Sequence, residues 1–173
     1  MAALPHSPVL WILALVAAQR LGELTLASAN TRRLLAEGGR EVGRAHYPLF
    51  VALHGSWLAA ISMTTPLQTE PNWILIGVFV VLQLLRVWVI AVLGRYWTTR
   101  VITLDGAPLV AKGPFRFVRH PNYLIVTAEI AVLPLAFGAW PVAIIWSIAN
   151  AALLFHRIRV ESRALASRQA LQA

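Results

Sequence analysis

Residues 72–93 read NWILIGVFVVLQLLRVWVIAVL, and Arg86 is the only charge among them. A membrane-spanning helix needs about 20 mainly apolar residues, so this stretch predicts a span. Four more apolar segments lie around it: Leu4–Ala27 and Tyr47–Met63 before, Asn122–Phe137 and Pro141–His156 after. The last two are short, and Pro134, Gly138 and Pro141 interrupt the chain between them. They read as a tight helical hairpin joined at FGAWP (137–141), a single broken helix being the other reading. Together the segments predict an all-α, multi-pass membrane bundle of about five transmembrane helices, one domain over 1–173.

The composition agrees. Of 173 residues, 58% are hydrophobic and 13% charged, and the mean hydropathy is +0.67. A soluble domain runs nearer ~45–50% apolar and ~25% charged. These values exclude a soluble globule and a disordered chain. The absence of cysteine excludes disulfides, thiolate chemistry and a Cys-based zinc site. The first apolar stretch lacks a basic n-region and a cleavage site followed by a soluble domain, so it is expected to stay as the first helix.

The basic residues divide the links into two kinds. The segment before the first span, the link TTPLQTEP (64–71) and the turn FGAWP hold no Lys or Arg. Arg20, Arg32, Arg33, Arg40 and Arg44 belong to the first inner side, Arg95, Arg100, Lys112, Arg116 and Arg119 to the second. Arg157, Arg159, Arg163 and Arg168 follow the last span. The positive-inside rule then predicts an outer N-terminus and an inner C-terminus. Much of the net charge of +8 is thereby read as topology. It does not suggest a nucleic-acid binder, whose basic residues gather into a patch on a water-exposed fold. The inner links, about Ser28–His46 and Gly94–Pro121, are long, and the outer ones are a few residues each. The piece SANTRRLLAEGG (28–39) reads as helix stopped at Gly38-Gly39. The work of the chain is expected at the inner face. No internal repeat is visible, which argues against an inverted-repeat transporter.

Ionisable groups inside spans cost several kcal/mol and are functional candidates by default. Arg20 and Glu23, three apart, read either as a local ion pair at the interface or as part of a site. His46 and His54 flank the start of the second span; their spacing of eight does not suit a metal. Gln83, Arg86, Ile90 and Trp97 share one helical stripe. Arg86 lies about two turns from Gly94 and needs a carboxylate or an anionic ligand. Glu129 is mid-segment in the fourth span. The two form either a structural pair or the wall of a reaction cavity, where a carboxylate can serve as a base. Asn150, Arg157 and Glu161, spaced seven and four apart, share one face of the last helix. They read as an ordinary i, i+4 pair beside an Asn, or as one wall of a cofactor pocket.

The densest chemistry is KGPFRFVRHPNY (112–123). Gly113-Pro114 allows a tight turn and exposes backbone groups. Pro121 turns His120 toward an extended conformation and starts the next helix. His120 then sits beside unpaired N–H groups that suit a carboxylate, and Tyr123 faces inward one turn later.

The stretch GPFRFVRHPNY (113–123), followed about forty residues later by RIRVESRAL (157–165), resembles the C-terminal half of the isoprenylcysteine carboxyl methyltransferase family of membrane enzymes. The resemblance covers roughly 82–165. RLGELTLASAN (20–30), EVGRAHYPLFVALHGSW (41–57) and LGRYWTTRVI (93–102) are similar to a bacterial subgroup often encoded beside type III polyketide synthases. That subgroup is associated with O-methylation of alkylpyrones or alkylresorcinols. The resemblance implies S-adenosylmethionine as cofactor, leaving as S-adenosylhomocysteine, bound from the cytosol between the His-Pro-Tyr segment and the last helix. Arg119, His120, Pro121 and Tyr123 match the first motif, and Arg157 and Glu161 the second. Where the family often has two adjacent glutamates, this chain has Glu161 and then Ser162.

From this follow the expected roles. Lys112, Gly113, Pro114, Arg119, His120, Pro121, Tyr123, Asn150, Arg157 and Glu161 hold the cofactor. Glu129, Arg86 and His54 carry the acceptor chemistry, without one being singled out as base. Arg20, Glu23, His46, Gln83 and Trp88 bind the acceptor, and no metal is expected. The expected enzyme is an S-adenosylmethionine-dependent O-methyltransferase of the bacterial cytoplasmic membrane, working on its cytosolic side. No long hydrophilic insertion is present to recognise a prenylated protein tail, so the partners are a small lipidic substrate and membrane lipids. No nucleic acid and no obligate protein partner are expected. Other readings are carboxyl methylation of an isoprenylated cysteine, a sterol-reductase-like enzyme using NADPH, and a non-enzymatic membrane assembly or transport subunit.

Overall fold

A computed structural model describes residues 7–107 and 110–170, with no side-chain description for 163–170. The beginning of the first segment at Leu4 and the side chains of Arg163 and Arg168 lie outside the described residues.

Five helices carry the fold: α1 Pro8–Ala36, α2 Tyr47–Thr64, α3 Trp73–Leu93, α4 Pro121–Ala136 and α5 Trp140–Ala170. Their starts follow ordinary capping. Ser7 caps α1 by accepting from the Leu10 amide, and Pro8 begins it. The Asn72 side chain accepts from the amides of Ile74 and Leu75 at the head of α3. Pro121 opens α4, with His120 at its N-cap. α1 runs past the expected Ala27 because SANTRRLLA contains no breaker. It stops where Gly38 takes φ +95°, a conformation that glycine adopts without a Cβ clash. α5 likewise runs past the expected His156, since RIRVESRALASRQ has no Gly or Pro. The hairpin between α4 and α5 is present: Ala139 donates to the Pro134 carbonyl at 2.9 Å and the chain turns at Gly138.

α1, α3 and α5 are long and apolar enough to cross a membrane, while α2 and α4, of 18 and 16 residues, are shorter. The outward faces are apolar: Leu15 is 70% exposed, Ile74 79% and Ile148 67%. Such a belt suits lipid rather than water. The core lies between the helices, around Trp57, Ile61, Ile130 and Leu133, with the Trp57 indole donating to the Ile130 carbonyl at 3.2 Å.

The two ends of the bundle differ. At one, the Ser7 hydroxyl donates to the Leu67 carbonyl and the Asn72 amide to the Ala136 carbonyl. The other gathers the long basic links, and there the purely helical expectation is incomplete. β1 (Arg40–Val42) and β2 (Val101–Thr103) pair antiparallel, Glu41 opposite Ile102. β-Branched Val101, Ile102 and Thr103 suit a strand, yet two three-residue strands some sixty residues apart give no sequence signal. Arg100 reinforces the ribbon by pairing with both oxygens of Glu41 at 3.0 and 3.1 Å and lying over the Tyr47 ring.

Candidate functional site

Four charges from three helices meet in the bundle, three of them buried and Arg20 nearly so. Arg86 of α3 donates through Nε to Glu23 Oε1 (2.6 Å) and through Nη2 to Glu23 Oε2 (2.7 Å). Arg20 of α1 reaches Glu23 Oε2 at 3.1 Å and Glu129 Oε2 of α4 at 2.6 Å. Arg86 Nη1 completes the ring to Glu129 Oε2 at 3.4 Å. Two glutamines close it: Gln83 donates to Glu129 Oε1 (2.8 Å), and Gln19 to Glu23 Oε1 (3.1 Å) and Gln83 Oε1 (2.6 Å). Two guanidiniums balance two carboxylates, and every carboxylate oxygen accepts at least one hydrogen bond. This is how buried charges are accommodated.

One cavity adjoins this ring, and a second meets the first. The larger, about 350 Å³, is walled by apolar side chains of α1 and α2, such as Leu21, Leu24, Val51 and Leu58, and by Arg20, Glu23, Arg86 and His54. The smaller, about 180 Å³, lies toward the basic end and is walled by Arg100, Phe115, Arg119, His120 and Glu161 among others. Trp97, Thr98, Asn122, Tyr123 and Arg157 line both. At this common wall the Tyr123 hydroxyl donates to Glu161 and accepts from Arg157 Nε at 2.9 Å. The His120 ring stacks on that of Tyr123, centroids 5.2 Å apart. Pro121 sets the start of α4, so His120 and Tyr123 project from its first turn toward Arg157 and Glu161 on α5.

Of the residues expected at a cofactor, Arg119, His120, Pro121, Tyr123, Arg157 and Glu161 line the smaller cavity. Lys112, Gly113, Pro114 and Asn150 lie outside it. Lys112 is exposed. Gly113 has φ +59° and packs its backbone on α3, where a Cβ would come within 2.8 Å of Val92 Cγ2. Pro114 is buried in the same turn. Asn150 is fully buried, its Nδ2 facing Thr127 Oγ1 at 3.5 Å. It shares the helix face of Arg157 but sits two turns deeper.

Of the residues expected at the acceptor, Arg20, Glu23, Arg86 and His54 line the larger cavity. Glu129 is fully buried behind Arg20 and Arg86, and Gln83 beside it belongs to the same hydrogen-bonded ring. Neither lines the cavity. His46 is buried against His156 and Phe50 outside both cavities. Burial first, then the charge of Arg157 and then His156, hold its pKa below the ordinary imidazole range. Trp88 is 45% exposed on the outside of α3 and reaches neither cavity. Its place on α3, two residues from Arg86, turns it away from the ring. No group of His, Cys, Asp and Glu among the described residues could hold a metal ion.

The sequence reading missed Asn122, Thr98, Arg100 and Phe50. Asn122 sits inside the His-Pro-Asn-Tyr motif, where its Oδ1 accepts from Arg86 Nη1 at 3.4 Å, so the motif itself was the signal. Arg100 is delivered by the β1–β2 pairing, which the sequence does not announce.

Comparison with known proteins gives two findings. Residues 74–167 match the family model described as the isoprenylcysteine carboxyl methyltransferase (ICMT) family. The Bacillus subtilis (strain 168) protein YpbQ, itself described as uncharacterized, is 35% identical over 160 residues, covering 90% of this chain and 95% of its own length. No solved structure matches significantly.

Proposed function

This chain belongs to the isoprenylcysteine carboxyl methyltransferase family, and from that premise we propose that it O-methylates a hydroxyl of a small membrane lipid, with S-adenosylmethionine as methyl donor. The acceptor class is an alkylpyrone or alkylresorcinol. The enzyme sits in a bacterial cytoplasmic membrane with its basic end, and hence its cofactor, on the cytosolic side.

The observation that carries this reading is the pair of cavities with a common wall at Asn122, Tyr123 and Arg157. One has a mixed lining that includes Arg100, Arg119, His120, Arg157 and Glu161 and lies at the basic end. The other is mainly apolar and lies among the helices. A water-soluble donor and a lipidic acceptor call for two such compartments meeting at one point.

The groups around the smaller cavity fit the cofactor. Its amino-acid end needs a cation for the carboxylate and a carboxylate for the ammonium, and Arg119, Arg157 and Glu161 are there. Its flat base suits Phe115 and Tyr96. The Trp97 indole N–H is buried without a hydrogen-bond partner among the described residues, in a side chain that walls both cavities. Bound there, S-adenosylmethionine supplies a methyl group carried on a sulfonium. The residues of the chain orient it: Tyr123 is fixed by Arg157 and Glu161, and His120 backs the Tyr123 ring. Alignment of two reactants away from water is worth ~7–11 kcal/mol of barrier.

Ligand-dependent thermal stability of the purified protein in detergent tests this. S-Adenosylhomocysteine should raise the melting temperature and NADPH should not, and His120→Ala and Glu161→Ala should each weaken the first effect. Stabilisation by NADPH, or by neither compound, would contradict the reading.

A further inference from the structure

We infer that His54 is the general base that takes the proton from the acceptor hydroxyl, an assignment that rests on the hydroxyl-methylation reading above. The titratable or cationic groups lining the larger cavity are Arg20, Glu23, Tyr47, His54, Arg86, Tyr123 and Arg157. A base needs a free lone pair. Guanidiniums have none. Both oxygens of Glu23 are taken by Arg20, Arg86 and Gln19. Glu129, the other carboxylate of the ring, accepts from Arg20, Arg86 and Gln83 and lies behind the cavity wall, out of reach of a bound hydroxyl. The Tyr123 hydroxyl is engaged by Glu161 and Arg157. The Tyr47 ring is held beneath Arg100.

His54 differs from all of them. Its Nδ1 lies 2.8 Å from the Phe50 carbonyl oxygen, one turn earlier on α2. A carbonyl only accepts, so Nδ1 carries the proton. In the neutral ring Nε2 is then an unprotonated acceptor, and it has no hydrogen-bond partner among the described residues. The helix itself thus fixes the tautomer that a base requires. As the acceptor oxygen forms its bond to the methyl carbon, the carbon–sulfur bond breaks with its electron pair going to sulfur. The hydroxyl proton passes to Nε2 and afterwards to solvent.

The same geometry bears on the acceptor. The Arg20–Glu23–Arg86–Glu129 ring is already neutral, and Arg157 is matched by Glu161 through Tyr123. A lone-pair nitrogen beside balanced charges favours a neutral hydroxyl over a carboxylate.

The test compares two acceptors in lipid nanodiscs: 5-pentadecylresorcinol, whose hydroxyls ionise near pH ~10 as phenols do, and a ring-nitrated analogue already ionised at the assay pH. His54→Asn keeps a donor for the Phe50 carbonyl and lacks Nε2. It should lower kcat on the resorcinol ~10²-fold or more, lower it only slightly on the nitrated analogue, and leave S-adenosylhomocysteine affinity unchanged. In the wild-type protein, ¹⁵N NMR of labelled histidine should show His54 protonated at Nδ1 and bare at Nε2. Equal losses on both acceptors, no loss on either, or an Nε2-protonated ring would overturn the assignment while leaving hydroxyl methylation standing. Wild-type turnover of farnesylcysteine and of neither hydroxyl lipid would remove both.

Discussion

Arg86 and Glu23 face each other in a two-point ion pair, guanidinium nitrogens Nε and Nη2 on carboxylate oxygens at 2.6 and 2.7 Å, and so join α3 to α1. The pair is buried, and each partner is in turn held by the other ion pair of the ring. Breaking a buried pair by removing one member leaves an uncompensated charge and costs about 3–5 kcal/mol. Arg86→Met and Glu23→Gln should therefore each lose stability of that order in unfolding followed by tryptophan fluorescence in detergent. The double variant should lose clearly less than the two single losses added together. Near-neutral single variants would show the ring to be dispensable.

Tyr123→Phe keeps the ring that stacks on His120 and deletes the hydroxyl between Arg157 and Glu161. Hydrogen bonds to charged groups are worth about 1.5–3 kcal/mol. Titration calorimetry should find S-adenosylhomocysteine bound roughly tenfold to hundredfold more weakly, and unchanged affinity would take Tyr123 out of the cofactor site.

Gly113 supports the turn rather than the cavity. Gly113→Ala meets both a positive φ and the Val92 side chain, a strain of about 1–3 kcal/mol. Its melting temperature should fall while its affinity for S-adenosylhomocysteine stays within about twofold of the parent. A selective loss of affinity would return Gly113 to the cofactor.

The fold was legible in the sequence to the extent that hydropathy and helix punctuation decide it. Asn72 before Trp73, Pro121 after His120 and Gly138 between α4 and α5 mark boundaries found within a residue or two. The helix over 28–39 ending at Gly38-Gly39 was legible, but hydropathy did not join it to the first span or extend α5, because Arg33 and Arg159 end an apolar run without ending a helix. Spacing brought Arg157 and Glu161 to one wall, since i, i+4 is a helix rule. Asn150 at i−7 shares that face but not that depth. The ring around Glu23 joins residues 63 and 109 positions apart in sequence, and the β1–β2 ribbon that delivers Arg100 is equally non-local. The i, i+3 spacing of Arg20 and Glu23 and the cost of lone charges at Arg86 and Glu129 pointed to two of the ring's ion pairs, but nothing local announced the Arg86–Glu23 and Arg20–Glu129 links that fuse them, or the ribbon.

His46 makes stability depend on pH. The unfolded chain takes up a proton near the ordinary imidazole pKa of ~6.5, and the folded chain resists it, because burial and then Arg157 disfavour the charged ring. Its contribution is complete above that pH and is lost as the pH falls through and below it. The melting temperature should drop between pH 8 and 5, and His46→Gln should flatten that slope. An unaltered slope would place the acid sensitivity elsewhere.

The orientation is testable on its own. All the basic links meet at one end of the bundle, so a reporter fused to the C-terminus should be active only in the cytosol. Periplasmic activity would invert the bundle and put the smaller cavity on the wrong side for its cofactor.

The most direct measurement mixes the purified protein in lipid with methyl-labelled S-adenosylmethionine and a panel of alkylpyrones, alkylresorcinols and farnesylcysteine. Two cavities meeting at Tyr123 and Arg157, with a neutral charge ring and an apolar wall on the acceptor side, predict label on a hydroxyl oxygen of the pyrone or resorcinol lipids. Label on the farnesylcysteine carboxylate alone would contradict it.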